Sequence, residues 1–157
     1  MALLEIKNLS FSYSGAENSA LENVNLTVEQ GDFVLLCGES GCGKTTLLKL
    51  LKKQLRPNGT LTGEITYNGV NVDNLDERTS VCEIGYVMQN LENQTVTDKV
   101  WNELAFGLES LGEKTPIIRR KVAEICGFFG IGEWYHKRTS ELSGGQKQLL
   151  SLASVMV

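Results

Sequence analysis

The 157-residue chain has little of what breaks, cross-links or anchors a fold: two prolines, one histidine and four cysteines. Pro57 and Pro116 stand at boundaries between apolar-patterned stretches, so neither interrupts an element. Cys37, Cys42, Cys82 and Cys126 lack metal-type spacing and read as reduced thiols, which excludes a disulfide scaffold or a zinc module. No apolar run approaches the roughly eighteen residues of a membrane span. Met1-Ala2-Leu3-Leu4-Glu5 lacks the basic-then-apolar order of a secretory signal. There is no Lys/Arg-rich block, and the formal net charge of −4 argues against general affinity for nucleic acid. Repeats and low-complexity tracts are also missing. What is there, 41% apolar and 22% charged residues, suits a globular domain with a real core.

One stretch carries chemistry by itself. Gly38-Glu39-Ser40-Gly41-Cys42-Gly43-Lys44-Thr45-Thr46 fits G-x-x-x-x-G-K-[ST], the phosphate-cradling P-loop. Phe33–Cys37 before it is a short apolar run of buried-strand type, and Leu47, Leu48, Leu50, Leu51 and Leu55 after it recur at helical spacing. Strand, glycine-rich turn and helix in that order aim first-turn N–H groups at an anion. The glycines admit backbone conformations that a Cβ would block. Lys44 supplies a flexible point charge for the β- and γ-phosphates, and the Thr45 hydroxyl is a hard oxygen suited to Mg²⁺. A chance match in a chain of this length is on the order of one in a hundred. Cys42 reads as a small residue that fits the turn.

The flanking chain alternates between two periods. Leu4–Phe11 alternates apolar and polar residues as a half-buried strand does, and Leu21–Val28 repeats the pattern, so the two are expected to pair antiparallel. Gly63–Tyr67 followed by Asn68-Gly69 predicts a strand and a type I′ hairpin returning through Val70–Val72. Ile84–Met88 predicts a short apolar strand ending at Gln89. From Thr97 the period is helical, with Val100, Trp101, Leu104, Ala105 and Leu108 on one face and Thr97 as the expected cap. Thr115-Pro116 reads as a cap followed by proline at the first helical position, opening a helix that runs to Gly130. Ser143 to Gln146 in Leu142-Ser143-Gly144-Gly145-Gln146 has the spacing of a capping box before an apolar helix, with two glycines clearing its first turn.

The P-loop, the Leu-Ser-Gly-Gly-Gln stretch and the Gln89 between them resemble the nucleotide-binding domain of an ATP-binding cassette transporter over essentially the whole chain. The resemblance implies an α/β fold: a P-loop NTPase (RecA-like) core with an antiparallel β subdomain over 1–89, and a helical, signature-bearing subdomain over 90–157. It implies ATP and Mg²⁺ as ligands. Tyr13 matches the aromatic that stacks on adenine, Gly38 to Thr46 the Walker A loop, and Gln89 the Q-loop glutamine at the metal or attacking water. Ser143, Gly144, Gly145 and Gln146 match the signature, which in this family closes on ATP held by a second ATPase subunit. The implied partners are that second subunit and a transmembrane component, at the cytoplasmic face of the membrane. Asn90–Thr97 with Val100–Glu109 is similar to the ATPases of energy-coupling factor importers, which carry vitamins or transition-metal ions; Leu91 stands where that group usually has proline. Amphipathic packing on its own core accounts equally well for the Val100–Glu109 periodicity.

The family continues to a Walker B strand ending Asp-Glu and a switch histidine. Neither follows the signature here, and His136 precedes it. The expectation is therefore a fold incomplete at its C-terminus, with no general base, with Phe33–Cys37 lacking a neighbour and with apolar surface left bare. Other P-loop classes fit less well: there is no Asn-Lys-x-Asp guanine motif, and neither a GTPase nor a small-molecule kinase explains Leu142–Gln146. A non-transport cassette protein, acting as a binding or mechanical module, is disfavoured by the net acidity and the Gln89–Glu109 match.

Overall fold

A computed structural model describes residues 2–90 and 93–157. Leu91, where the expected proline is replaced, lies outside the described residues. The chain forms two compact units, 1–84 and 85–157, dividing five residues before the expected boundary at Gln89.

The first unit is a four-stranded antiparallel sheet with a short helix on one face. Its strands are β1 (Ala2–Tyr13), β2 (Leu21–Glu29), β3 (Gly59–Tyr67) and β4 (Val70–Asn71), in the order β2-β1-β3-β4. The expected β1–β2 pairing is present, with Ile6 opposite Leu26 and Phe11 opposite Leu21. Strict alternation would put Ile6 and Leu9 on opposite faces, yet both are buried in one cluster with Phe11. A bulge reconciles them. The β1–β3 register shifts between Lys7 and Ser10, Asn8 takes φ 48°, and its N–H donates to Asn25 Oδ1 at 2.9 Å. Gly63 sits against this bulge at φ 90°, where a Cβ would come within 2.4 Å of Asn8 O. Asn68 and Gly69, both at positive φ, make the expected tight turn between β3 and β4.

Helix α1 (Lys44–Leu50) buries Leu47 and Leu50 against Ile6, Leu9, Phe11, Leu21, Ile65 and Val72. It is shorter than the leucine spacing predicts. The chain turns at Leu51, and Lys53–Leu55 is a separate 3₁₀ turn. Lys52 swings away to donate to Ser80 O at 3.1 Å and to Ile84 O. Burial holds its pKa below the ordinary 10.5. A further helix that the periodicity did not reveal, α2 (Glu77–Cys82), is capped by Asp76, whose Oδ1 accepts from Thr79 N–H at 2.9 Å.

Two expected strands are not formed. Residues 32–39 and 85–88 have no regular secondary structure, and no β-ladder reaches either stretch among the described residues. A strand of a parallel sheet exists only through its neighbours' N–H and C=O groups, so apolar composition alone cannot make one. The surface expected to be bare is bare: Phe33 is 93% and Leu35 74% exposed, while Leu36 half-buries against the sheet cluster.

The second unit is helical. It contains α3 (Val100–Ser110), α4 (Thr115–Phe129) and α5 (Gly144–Met156), with 3₁₀ turns at Gly132–Trp134 and Thr139–Glu141. Val100, Leu104, Ala105 and Leu108 of α3 meet Ile118, Val122 and Cys126 of α4 and Leu150 and Ala153 of α5, so the face predicted for α3 lies in the core, with Trp101 partly buried at its edge. Two caps differ from expectation. Lys99, not Thr97, precedes α3, and Lys114, not Thr115, precedes α4 with Pro116 inside its first turn; neither makes a side-chain cap bond. Thr97 is diverted because its N–H and hydroxyl both donate to Glu103 Oε2, each at 2.9 Å. Of the apolar tail, Leu150 and Ala153 are buried, whereas Leu152 and Met156 face outward. None of the described helices is long and apolar enough to cross a membrane.

Candidate nucleotide site

The glycine-rich turn is built on the sheet unit. Helix α1 begins after Gly43, at φ 93° and ψ 0°, and no side chain caps its first N–H groups. A Cβ at Gly43 would meet Ala20 O at 2.6 Å and Leu21 Cδ2 at 2.8 Å, so the turn lies directly on the start of β2 and admits only glycine there. Gly38 and Gly41 also have positive φ, at 150° and 87°. Lys44 folds its side chain back over the turn, with Nζ donating to Gly38 O at 2.8 Å and Glu39 O at 2.7 Å. Cys42 Sγ lies 3.5 Å from the same ammonium. Two loop carbonyls thus hold a positive charge across the mouth of the turn, which is where phosphate oxygens bring negative charge.

Around this turn the fold gathers the next candidates. Tyr13, the last residue of β1, shares a hydrogen bond of 2.7 Å between its hydroxyl and Thr46 Oγ1, and its ring meets Phe11 edge-on at 5.0 Å. Thr46 is buried, while Thr45, Glu39, Ser40 and Gly41 are exposed. Thr45 is therefore on the solvent side of the turn. The donor set, a lysine ammonium, an uncapped helix start and an exposed threonine, fits the phosphates of a nucleotide and a hard cation.

The remaining candidates belong to the helical unit. Gln89 is exposed and ends the irregular stretch 85–88. The turn 143–146 is an intact capping box: Ser143 N–H donates to Gln146 Oε1 at 2.8 Å, and Gln146 N–H donates to Ser143 Oγ at 3.4 Å. Apart from adjoining residues and the helix's own backbone, no described atom lies within 4 Å of where a Cβ on Gly144 or Gly145 would be, so this turn presents an open face.

Two residues with structural consequences went unread in the sequence. Glu103, 6% exposed on α3, accepts from Val96 N–H, Thr97 N–H and the Thr97 hydroxyl. Gln94 accepts from Met88 N–H at 2.7 Å and reaches Ser151 O at 3.5 Å. Neither makes a local motif, because each bonds to backbone that only the fold brings near.

The glycine turn, its lysine and the helix it opens define a P-loop nucleotide-binding protein. Residues 21–157 match the ABC transporter family, and the chain belongs to it. It is 48% identical over its full length to a putative ABC transporter ATP-binding protein of Bacillus anthracis, covering 28% of that protein. It is 34% identical to the energy-coupling factor transporter ATP-binding protein EcfA1 of Mycoplasmopsis pulmonis, over 98% of this chain and 57% of that one. The solved structure of CbiO1 from Clostridium perfringens, part of the transporter complex CbiONQ, superposes with a TM-score of 0.83. That match is 26% identical and covers 99% of this chain and 61% of CbiO1. The fold is that of the ATP-binding cassettes. The chain spans between about a quarter and somewhat over half the length of these curated relatives.

Proposed function

We propose that this chain supplies the nucleotide-holding part of an ATPase subunit of an energy-coupling factor importer, moving a vitamin or transition-metal ion. The observation that carries the reading is the Lys44 ammonium held over a glycine turn whose close approach to Ala20 and Leu21 excludes a side chain. The likeness to EcfA1 and to CbiO1 supports the importer type.

On this reading Lys44 and the N–H groups opening α1 bind the β- and γ-phosphates, and Tyr13 places its ring on adenine. Thr45 and Gln89 are the groups that would hold Mg²⁺, which would neutralise phosphate charge when bound. Ser143, Gly144, Gly145 and Gln146 face the ATP of a second ATPase subunit. Lys44 stabilises the charge that develops as water attacks the γ-phosphate in line. A transmembrane component docks on the assembly, which works at the cytoplasmic face of the membrane.

Thermal or denaturant unfolding with Mg-ATP tests this. At a hundred times Kd, Mg-ATP should stabilise the chain by roughly 2.7 kcal/mol, and Lys44→Ala should abolish the shift. An equal shift in the variant sinks the P-loop assignment. In the same samples residues 1–157, which include no Asp-Glu pair after the signature, should release phosphate at no more than the background rate.

A further inference from the structure

The irregular segment ending at Gln89 is fastened to α5 at two points. A Cβ on Gly85 would lie 2.4 Å from Val155 Cγ1, so the backbone there rests directly on that side chain. Three residues on, Met88 N–H donates to Gln94 Oε1 at 2.7 Å, and Gln94 Nε2 extends to Ser151 O at 3.5 Å. Ser151 and Val155 are four residues apart and so share one face of the helix. Gln94 is itself held in place. The loop that follows it is gathered onto buried Glu103, and Thr97 O accepts from the Thr139 hydroxyl at 3.1 Å. Helix α5 opens with the capping box of Ser143 and Gln146.

We infer that Gln94 is a positioning residue: its side-chain amide locks the backbone of Met88, and with it Gln89, to the helix that begins at Ser143. A shift of α5 driven from its Ser143–Gln146 end therefore carries Gln89 along. The amide suits this task because one end accepts and the other donates, so a single side chain satisfies a backbone N–H and reaches a helix carbonyl together. The consequence for nucleotide rests on the function proposed above, but the mechanical link does not.

Two variants separate the halves of the link. Gln94→Leu removes both bonds, whereas Gln94→Glu keeps an acceptor for Met88 N–H and loses the donor to Ser151 O. Amide exchange followed by NMR on residues 1–157 should show Met88 exchanging roughly tenfold faster in Gln94→Leu, with Leu150 on α5 unchanged. In Gln94→Glu, Met88 should stay protected, which also guards against a Gln94→Leu chain that fails to fold. Equal Met88 exchange in Gln94→Leu and the unsubstituted chain, or loss of Met88 protection in an otherwise folded Gln94→Glu, overturns the link. The second readout is the ratio of ATP affinities with and without Mg²⁺. Both variants should narrow it severalfold while the Mg²⁺-free affinity stays constant; an unchanged ratio overturns the coupling to Gln89. If ATP stabilises neither the chain nor its Lys44→Ala variant, the proposed function falls and the exchange data alone decide the role of Gln94.

Discussion

The two glycine-bearing turns of this chain, 38–46 and 143–146, each open a helix, and they treat the helix's unpaired N–H groups in opposite ways. At 38–46 nothing caps α1. The turn is pressed onto β2, and its lysine is held back over the loop by two carbonyls. At 143–146 the helix caps itself reciprocally through Ser143 and Gln146, and a Cβ on either glycine would meet no described residue beyond its own helix. The contrast separates two uses of glycine. In the first turn the absent side chain is required by the protein's own packing, and the donors are left for a ligand. In the second the space beyond the glycines is open, so packing among the described residues does not require them small.

The largest effect expected from this contrast is at Gly43. Gly43→Ala forces a Cβ into Ala20 O and Leu21 at a positive φ, and should cost about 1–3 kcal/mol in denaturant unfolding. Gly144→Ala and Gly145→Ala should be neutral or stabilising by up to about 1 kcal/mol. A Gly43→Ala chain as stable as its parent would erase the distinction. Next in size is Ser143→Ala, which removes the cap of α5 and should lower stability by about 1 kcal/mol; no loss would mean the capping box contributes nothing in solution.

The smallest effect sharpens the comparison of caps. Asp76 caps α2 with a charge where Ser143 uses a hydroxyl. Bonds from the Thr79 hydroxyl and then the Thr79 N–H hold the Asp76 carboxyl below its usual 3.8. A depressed carboxylate contributes stability that is fully present above 3.8 and is lost as pH falls through the lowered value. The difference between Asp76→Ala and its parent should therefore shrink as pH falls below 3.8, while the Ser143→Ala difference should stay flat over the same range. Melting curves from pH 3 to 7 check both, and parallel trends would refute the electrostatic account of the Asp76 cap.

Much of the fold could be read in advance because its signals are local. Asn68-Gly69 carries its turn in its own conformational preferences, and the face of α3 follows from apolar period alone. Asp76 has the spacing of an acceptor three residues before Thr79, but α2, at six residues, is too short for its apolar period to register. The misreadings have a common cause. Phe33–Cys37 and Ile84–Met88 have strand composition, but a strand in a parallel sheet is a property of its neighbours. Thr97 has the chemistry of a cap, yet Glu103 six residues on offers its N–H and hydroxyl a buried carboxylate instead.

By itself, then, the sequence determined the P-loop, the capping box and the two apolar periods, since each is a relation among residues within a few positions of one another. Tertiary structure decided which of those residues touch. It folded Lys44 onto its own loop, set Tyr13 against Thr46, bulged β1 so that Ile6 and Leu9 share a face, and joined Met88 through Gln94 to Ser151. Those contacts span up to fifty-seven residues. Bonds across such separations form only once burial has closed the intervening chain, so no local pattern announces them.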